Sequence, residues 1–365
     1  MHRILAINPG STSTKFAVYF DEKCVLKKAI RHSVDEILAY RNVIDQFDFR
    51  KGLIVDALVE ENIDVDAIKI IMGRGGLTYP TESGVYKVNS LMLQHVREGV
   101  MGQHASNLGP LLADFIAMQI PGAVAYIADP VVTDEMDEVA KIAGHPKFIR
   151  HSVFHALNQK ATARMHAKNV GKKYESLRLI VVHLGGGISV GAHKNGRVVD
   201  VNNAFDGEGP FSPERSGTLP SGQLVTICCR GNYTEEQIRR MIVGEGGYVG
   251  YLGTNSDKEV ERLANTGDNK ARLIREALFY QVAKFIGEMA VVLEGKVDAI
   301  LLTGGMAHNS NLENYIRSKT SFIAPLFNYP GEDELEALAI SALRLARGEE
   351  IAKEYSKLNI AGISG

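Results

Sequence analysis

The chain has 365 residues, so we expect two domains, because a single hydrophobic core stops growing at about 250–300 residues. Its 41 lysines and arginines are balanced by 43 aspartates and glutamates, which gives a net charge of -2. That charge excludes a general basic field of the kind that binds nucleic acid or anionic membranes. Hydrophobic residues make up 45% and charged residues 23%, so the composition predicts a folded globular chain.

Cysteine usage and hydropathy predict a soluble cytoplasmic protein. The three cysteines have neither the number nor the spacing of a disulfide framework or a zinc site, so we expect buried reduced thiols at Cys24, Cys228 and Cys229. The first apolar run stops at Asn8-Pro9-Gly10, which is too early for a secretory leader. No apolar stretch has the length that a bilayer span requires.

The opening stretch, Ile4 to Phe20 (ILAINPGSTSTKFAVYF), predicts a β-hairpin, and Cys24 to Ile30 a third strand. The hairpin tip offers backbone N–H groups, hydroxyl side chains and an ammonium group, which together can bind a polyphosphate. The candidate phosphate-binding residues of this tip are Ser11, Thr12, Ser13 and Lys15.

Two buried strands follow in the first half, at Asp66 to Met72 and Val124 to Ala128. Each delivers a charged residue just past its carboxyl end, Arg74 in one case and Asp129 in the other. In open α/β sheets ligands bind at that edge, so both residues are candidates for a site. Helices are predicted around these strands at Val34 to Gln46, Gly52 to Asn62 and Ser90 to Gln119, the last interrupted at Gly102-Gln103-His104 and at Gly109-Pro110.

The second half restarts the opening pattern at Leu179 to Val201 (LIVVHLGGGISVGAHKNGRVVDV), with a strand, a Gly-rich turn, a strand, an Asn-Gly turn and a strand. A repeat at half the chain length indicates a duplicated α/β domain with two facing phosphate loops. The residues of the second loop are His183, Gly185, Gly186 and Gly187.

A loop without its own periodicity follows at Ala204 to Gly222, with Arg215 at its centre, and such loops are commonly functional.

Lys270 to Leu293 predicts one long amphipathic helix. The buried strand Ala299 to Thr303 ends at Gly304 and Gly305, where a backbone without side chains can lie flat against a nucleotide. Four more helices are predicted at Gln223 to Cys229, Thr234 to Val243, Asn309 to Lys319 and Glu332 to Arg347, with a turn at Gly244 to Gly253.

The chain carries an ordered set of motifs: Asn8-Pro9-Gly10-Ser11, Lys15, Arg74, Asp129, Arg150 to His155, His183 to Gly187, Arg215-Ser216-Gly217, Gly304-Gly305 and Glu334. This set resembles the acetate kinase and butyrate kinase family of the sugar kinase, heat-shock chaperone and actin superfamily. The resemblance covers nearly the whole chain, and the form PERSGTLP around the second arginine resembles the butyrate kinase branch. It implies duplicated actin-like ATPase (ribonuclease H-like) domains with an active-site cleft between them. The expected domains are 1–148 plus 335–365 on the acyl side and 149–334 on the nucleotide side.

The resemblance implies that Arg74 and Arg215 hold the acyl carboxylate and the γ-phosphoryl oxygens, a role that suits guanidinium forks. Ordinary salt bridges are the alternative for either arginine. Asn8 stands where the wider superfamily has an aspartate, so we expect it to orient water or substrate and to leave charge neutralisation to other groups.

The resemblance also implies Mg²⁺ bound with ATP or ADP, with Asp129 and Glu334 as its protein ligands. Mg²⁺ commonly takes one or two carboxylates and fills its octahedron with water and phosphate. Glu332 and Asp333 are alternatives to Glu334, and an acid in the first turn of a helix is favourable on dipole grounds alone.

Two histidines are expected near the transferred phosphoryl group. His155 matches the active-site histidine of the family and could donate to a phosphoryl oxygen, although a structural hydrogen bond is the alternative. His183 lies at a strand end beside the Gly-rich turn. For the acyl pocket we expect Gly76, whose missing side chain would make room for a longer acid, together with Phe154 and His104. His104 could instead simply cap a helix.

The implied reaction is direct in-line transfer of the γ-phosphoryl group of ATP to butyrate, giving butyryl phosphate and ADP. Acetate, propionate and isobutyrate are alternative acids. A non-enzymic nucleotide switch, as in the actin and chaperone branches, is a more distant alternative. The expected partners are ATP and a small carboxylate, without nucleic acid or membrane, and the resemblance implies a homo-oligomer.

Overall fold

The computed structural model describes residues 1–356. The chain divides into unit 1, Met1–Asp134 with the segment from Asp333 onward, and unit 2, Glu135–Glu332. The sequence predicted the divisions at 148/149 and 334/335. The segment 135–148 groups with unit 2 because the Glu135 carboxylate pairs with Lys160 and accepts from the Val198 N–H.

The strands in chain order are β1 (Arg3–Gly10), β2 (Ser13–Phe20), β3 (Lys23–Arg31), β4 (Ile70–Arg74), β5 (Val85–Lys87), β6 (Val124–Ala128), β7 (Arg178–Leu184), β8 (Ile188–Lys194), β9 (Arg197–Val201), β10 (Ala299–Gly304), β11 (Leu326–Pro330) and β12 (Lys353–Glu354). The α-helices are α1 (Val34–Leu38), α2 (Phe47–Glu60), α3 (Ser90–Glu98), α4 (Leu108–Gln119), α5 (Glu138–Lys141), α6 (Ala156–Asn169), α7 (Ser221–Cys229), α8 (Glu235–Ile242), α9 (Gly247–Leu252), α10 (Asp257–Asn265), α11 (Asn269–Val292), α12 (Ser310–Thr320) and α13 (Glu334–Ala346).

The sheets of the two units share one order over five strands, and the sheet of unit 1 has two more strands at one edge. The sheet of unit 1 runs β12-β5-β6-β4-β1-β2-β3, and the sheet of unit 2 runs β11-β10-β7-β8-β9. In both, an antiparallel meander is extended beyond its first strand by two parallel strands. The predicted α/β fold with duplicated domains is confirmed, and in each sheet the parallel strands bring their carboxyl ends to one edge.

Strand alternation explains how the first hairpin serves two purposes. Leu5 and Ile7 of β1, with Phe16 and Val18 of β2, point into the buried apolar cluster of unit 1. Burial of each such side chain stabilises the fold by about 1.5–3 kcal/mol. Asn8 faces the opposite side of the sheet, where α13 packs on β1, so one strand supplies both core and site.

Two of the predicted elements need correction, and six that exist were missed. The predicted helix Val34 to Gln46 is divided into α1 and the 3-10 helix Val43–Gln46, because the Asp45 carboxylate accepts from the Asn42 N–H and starts a new turn there. The predicted turn Gly244 to Gly253 contains α9, which ends at Gly253 with a φ of 71°. The sequence did not predict the strands β5, β11 and β12 or the helices α5, α6 and α10.

The cysteine prediction was wrong in one respect. Cys24, Cys228 and Cys229 are free thiols, as expected, but all are exposed. The reason is local, since Cys24 lies on the outermost strand β3 and α7 carries no buried residue. Within residues 1–356, no helix is both long and apolar enough to cross a lipid bilayer.

Candidate active site

Three predicted residues from distant parts of the chain meet in unit 1. Arg74, at the end of β4, donates from Nη1 to Glu334 Oε2 at 3.0 Å and to Asn8 Oδ1 at 3.2 Å. The Asn8 side-chain amide donates to the same Glu334 oxygen. Within residues 1–356, no protein group accepts from Arg74 Nε or Nη2. The guanidinium group is therefore oriented through its Nη1 atom, and its Nε and Nη2 groups can donate to a ligand.

Two glycines that the sequence did not single out hold Arg74 in place. A Cβ on Gly109 would lie 2.1 Å from the Arg74 carbonyl oxygen, and one on Gly73 would lie 2.4 Å from the Gly109 carbonyl oxygen. Only glycine allows this contact between the first turn of α4 and the end of β4. The contact sets the backbone from which Arg74 projects.

The predicted room for an acyl chain at Gly76 is filled. A Cβ built on Gly76 would lie 2.7 Å from Asn107 Cα and 3.2 Å from Asn107 N, so the backbone of the 3-10 helix Ala105–Asn107 occupies that space. Asn107 Oδ1 also accepts from the Leu77 N–H at 2.9 Å. Gly76 is buried and serves close backbone packing, and the prediction that it opens the acyl pocket is corrected.

His104 caps the same 3-10 helix. Its Nδ1 accepts from the Ser106 N–H at 3.2 Å and lies 2.8 Å from the Ser106 hydroxyl. The capping alternative considered for His104 is therefore the one that the geometry supports.

The hairpin tip is built as expected. Ser11 and Thr12 form the exposed turn between β1 and β2, with Ser13 half-buried beside them. Lys15 is exposed on β2 directly opposite Asn8, and residues paired in this way project from the same face of a sheet. Lys15 makes no ion pair within the described part of the chain, so its ammonium group can meet a phosphate on the Asn8 side.

Arg50 supports this tip and was missed in the sequence. It is fully buried in α2, and its Nη1 donates to the carbonyl oxygens of Gly10 at 2.8 Å and Ser13 at 2.9 Å. Its Nε donates to the Gln46 side-chain oxygen at 3.0 Å. Burial lowers the pKa of Arg50 to about 10, and no carboxylate pairs with it among residues 1–356. The apolar spacing of the predicted helix gave no indication that Arg50 is buried.

Asp129 is held in a strained and buried position just past β6. Its φ is 37°, and its Oδ1 accepts from the Ser83 hydroxyl at 2.5 Å and from the Gly84 N–H at 2.9 Å. A non-glycine residue in this region costs about 1–3 kcal/mol, so the surrounding structure must enforce it. Such outliers cluster at functional sites.

The three carboxylates at the start of α13 have different partners. Glu332 Oε2 lies 3.2 Å from His183 Nε2, Asp333 caps α13 and pairs with Lys27, and Glu334 meets Arg74. Only Glu334 joins the cluster of predicted site residues in unit 1.

The donor set of unit 1 fits Mg²⁺ without forming a closed cage. Among residues 1–356, no group of three or more His, Cys, Asp or Glu side chains is gathered to hold a metal. Glu334 binds its protein partners through Oε2, and no described residue donates to its Oε1. One or two hard carboxylate oxygens completed by water and phosphate are what Mg²⁺ prefers.

In unit 2, the rings of His155 and His183 stack with centroids 3.7 Å apart and an interplanar angle of 10°. His155 Nδ1 lies 3.0 Å from the Ser189 hydroxyl oxygen. His183 Nδ1 lies 2.7 Å from the side-chain oxygen of Asn158. The stack places both predicted histidines at one position beside the end of β7.

The Gly-rich turn and the second arginine also meet in unit 2. A Cβ on Gly187 would lie 2.0 Å from Arg215 Nη1, so only glycine leaves room for the guanidinium. That group donates to the Ala204 carbonyl oxygen and lies over the Phe205 ring at 5.4 Å. Burial lowers the pKa of Arg215 below its ordinary value. Gly185 and Gly186 complete the turn, and the Gly186 carbonyl oxygen accepts from Ser212 Oγ.

Gly304 and Gly305 have different tasks. Gly304 has a φ of 92°, and a Cβ there would lie 2.4 Å from the Leu184 carbonyl oxygen, so β10 and β7 approach closely at this point. Its N–H and carbonyl group exchange hydrogen bonds with Gly331. Gly305 is exposed, and apart from its two chain neighbours no described residue has an atom within 4 Å of the position that a Cβ would take there. Its surface is therefore open to a ligand.

Asn309, four residues after Gly305, contacts partly buried polar groups. Asn309 donates to Asp257 Oδ2 at 3.0 Å and to Glu261 at 3.2 Å. Within the described residues, Tyr248 Oη and Asp257 Oδ1 are buried without a hydrogen-bond partner. Buried groups of this kind are normally satisfied, so ordered water or a bound hydroxyl group would complete them.

Two neighbours of His155 are structural. Phe154, predicted for the acyl pocket, is 2% exposed in an apolar cluster with Met136 and Val201, so its ring is used in core packing. This prediction is corrected. Arg150 is held by ion pairs with Asp200 at 3.0 Å and Glu208 at 3.3 Å.

Solved structures define the class of fold. The acetate kinase of Porphyromonas gingivalis aligns with a TM-score of 0.77 at 18% identity, covering 94% of this chain and 100% of that one. A propionate kinase from Francisella tularensis aligns with a TM-score of 0.74 at 20% identity, covering 93% and 99%. The duplicated α/β fold of this chain is thus the one found in acetate and propionate kinases.

Sequence comparison then gives the family. The Acetokinase family model matches residues 139–321. Butyrate kinase 1 of Clostridium acetobutylicum is 56% identical over 355 residues, which is 97% of this chain and 100% of that protein. Butyrate kinase 2 of the same organism is 53% identical over 353 residues, covering 97% and 99%. The chain belongs to the acetokinase family.

Proposed function

We propose that this member of the acetokinase family is a short-chain carboxylate kinase that transfers the γ-phosphoryl group of ATP to butyrate, giving butyryl phosphate and ADP. The observation that carries the proposal is the setting of Arg74. Asn8 and Glu334 orient its guanidinium through one nitrogen, and the remaining fork suits the two oxygens of a carboxylate. The names of the two relatives from Clostridium acetobutylicum support butyrate as the acid.

The acceptor needs no general base, because a carboxylic acid with a pKa near 4 is already an anion at neutral pH. A carboxylate oxygen attacks the γ-phosphorus, the bond from that phosphorus to the bridging oxygen breaks, and ADP leaves. The work left to the protein is positioning and charge neutralisation.

The residues of unit 2 suit the phosphate groups. His155, His183 and Arg215 offer N–H donors for oxygens that gain charge in the transition state. The turn Gly185 to Gly187 lets the nucleotide phosphates approach the backbone, and Gly305 presents an open backbone surface to the base or sugar. In unit 1, Lys15 and Asn8 project from one face and suit the transferred phosphoryl group.

Glu334 and Asp129 are the carboxylates proposed for Mg²⁺. Glu334 Oε1 is available among the described residues, and Asp129 is oriented by Ser83 and Gly84. When bound, the ion would neutralise phosphate charge during transfer.

A panel of acids tests the function directly. The purified protein is incubated with Mg²⁺-ATP and acetate, propionate, butyrate or isobutyrate, and the acyl phosphate is trapped as a hydroxamate. We expect the highest kcat/KM for butyrate, with shorter acids still accepted, because a pocket discriminates by only about 1–3 kcal/mol per methylene. A maximum at another acid would reassign the substrate. Tight ATP binding without any acyl phosphate would favour the nucleotide switch.

Two further properties stay predictions. A cytoplasmic location would give the enzyme access to ATP and free acid. Self-association is expected from the family resemblance, and light scattering of the purified protein measures it.

A further inference from the structure

A chain of hydrogen bonds in unit 2 leads from the buried Tyr174 to His155. Tyr174 Oη lies 2.8 Å from His193 Nδ1, and His193 Nε2 lies 3.0 Å from Gln159 Oε1. Gln159 Nε2 lies 2.8 Å from Ser189 Oγ, which lies 3.0 Å from His155 Nδ1. Gln159, Ser189 and His193 are fully buried, and the reaction itself assigns none of them a role.

The direction of these bonds follows from one carbonyl group. The Ser189 carbonyl oxygen, which can only accept, lies 3.1 Å from the Gln159 side-chain nitrogen, so that atom must be the amide NH₂. The amide oxygen therefore faces His193 and receives its Nε2–H. Burial, with the nearby charges of Lys160 and Arg164, holds the pKa of His193 well below its ordinary value, so the ring is neutral and its Nδ1 accepts the Tyr174 hydroxyl proton.

At the other end, Gln159 donates to Ser189 Oγ, so the Ser189 hydroxyl proton must find a different acceptor. Within residues 1–356, its only further partner is His155 Nδ1. A ring nitrogen that accepts a hydrogen bond carries no proton, so the proton of neutral His155 lies on Nε2.

We propose that Gln159 is a positioning residue which, through Ser189, fixes His155 as the Nε2–H tautomer, a neutral donor for an oxygen of the transferred phosphoryl group. The role in transfer rests on the proposed function, whereas the tautomer does not. A donor fixed before the substrate binds needs no reorganisation during the reaction, which is how buried polar networks contribute to catalysis.

The tautomer can be measured without turnover. In the full-length protein with ¹⁵N-labelled histidine, a His155→Gln sample identifies the His155 resonances. We expect a protonated Nε2 and an unprotonated Nδ1 in the unsubstituted protein. A protonated Nδ1 would overturn the proposal. Failure of the acid panel would remove the kinase function but leave this measurement unaffected.

Two substitutions then test the chain of bonds. Ser189→Ala removes the donor to Nδ1, so we expect His155 to populate both tautomers and kcat to fall about 2- to 10-fold at unchanged KM for ATP. Ser189→Thr, which keeps the hydroxyl group, should restore both properties. Ser176→Ala, the loss of an exposed hydroxyl group in the same unit, is the control.

Gln159→Glu tests the positioning residue itself. Burial raises the pKa of the introduced carboxyl group, so the tautomer is measured at alkaline pH, where the group is ionised. The carboxylate then accepts the Ser189 hydroxyl proton, which frees Ser189 Oγ to accept from His155, so we expect the proton to move to Nδ1. An unchanged tautomer in both Gln159→Glu and Ser189→Ala, with melting temperatures that show folded protein, would overturn the proposal.

Discussion

Arg50 offers a sharp test of how the first phosphate loop is held. The substitution Arg50→Met keeps the length of the side chain but removes the donors to the Gly10 and Ser13 carbonyl oxygens. Each hydrogen bond from a charged group is worth about 1.5–3 kcal/mol, so two contribute about 3–6 kcal/mol. The same change relieves the burial of a charge that has no carboxylate partner, which costs several kcal/mol. The two effects oppose each other, and we expect the free energy of unfolding to fall by less than about 3 kcal/mol.

Activity should respond more strongly than stability. Without Arg50 the tip between β1 and β2 loses the anchor for its backbone, and a displacement of about 1 Å at a reacting centre costs on the order of 10²-fold in rate. The assay compares kcat for butyryl phosphate formation with urea unfolding, for Arg50→Met and for Arg50→Lys, which keeps the charge. Arg41→Met, at an exposed arginine of the same unit, is the control. An Arg50→Met protein with kcat within twofold of the unsubstituted enzyme would refute the reasoning.

Three other predictions follow from the geometry. Gly76→Val should lower the free energy of unfolding by more than about 3 kcal/mol in urea, because the Cβ of the valine would clash with the Asn107 backbone. The ratio of kcat/KM for butyrate to that for acetate should stay unchanged in the folded protein. Asn8→Ala should lower kcat more than it raises the KM for ATP, because Asn8 orients Arg74 and Glu334. A larger effect on the KM for ATP than on kcat would indicate that the loop between β1 and β2 only binds the nucleotide. Burial lowers the pKa of His193, so below pH about 6.5 this histidine binds a proton in the unfolded chain but not in the folded one. The free energy of unfolding therefore falls by up to about 1.4 kcal/mol for each pH unit below that value. His193→Gln should therefore show a shallower loss of unfolding free energy between pH 6.5 and 5, and equal slopes would contradict this.

The sequence predicted the strands of both sheets best, because apolar runs between glycine turns are distinctive. The strand at Val124 to Ala128 was predicted with the bounds that the structure has. The helix α6 was missed because more than half of its buried residues are polar, Asn158, Gln159 and Lys160 among them. Its buried apolar residues are one leucine and three alanines, so the hydrophobic periodicity is weak.

The site was predicted as separate residues and not as contacts. A strand end pointed to Arg74 and the family resemblance pointed to Asn8. Nothing in the sequence shows that the carboxylate of Glu334, 326 residues after Asn8, accepts hydrogen bonds from both of them. The expectation that Gly76 makes room for the acyl chain did not hold for a related reason, because its close packing against Asn107 is visible only in three dimensions. Arg50 resembles a surface residue of a helix until its burial is known.

The central claim is that the guanidinium fork of Arg74 binds the acid. Arg74→Lys keeps a positive charge beside Glu334, so we expect the ion pair and the fold to be retained. The substitution removes only the planar fork of the guanidinium group. Arg41→Lys is the matched control for the same chemical change at an exposed position. The measurement is kcat/KM for butyrate at saturating Mg²⁺-ATP.

We expect Arg74→Lys to reduce kcat/KM for butyrate by roughly 10- to 150-fold, equivalent to about 1.5–3 kcal/mol of charged hydrogen bonding, at an unchanged Kd for ATP. Arg41→Lys should match the unsubstituted protein. A folded Arg74→Lys protein with undiminished kcat/KM for butyrate would contradict the account.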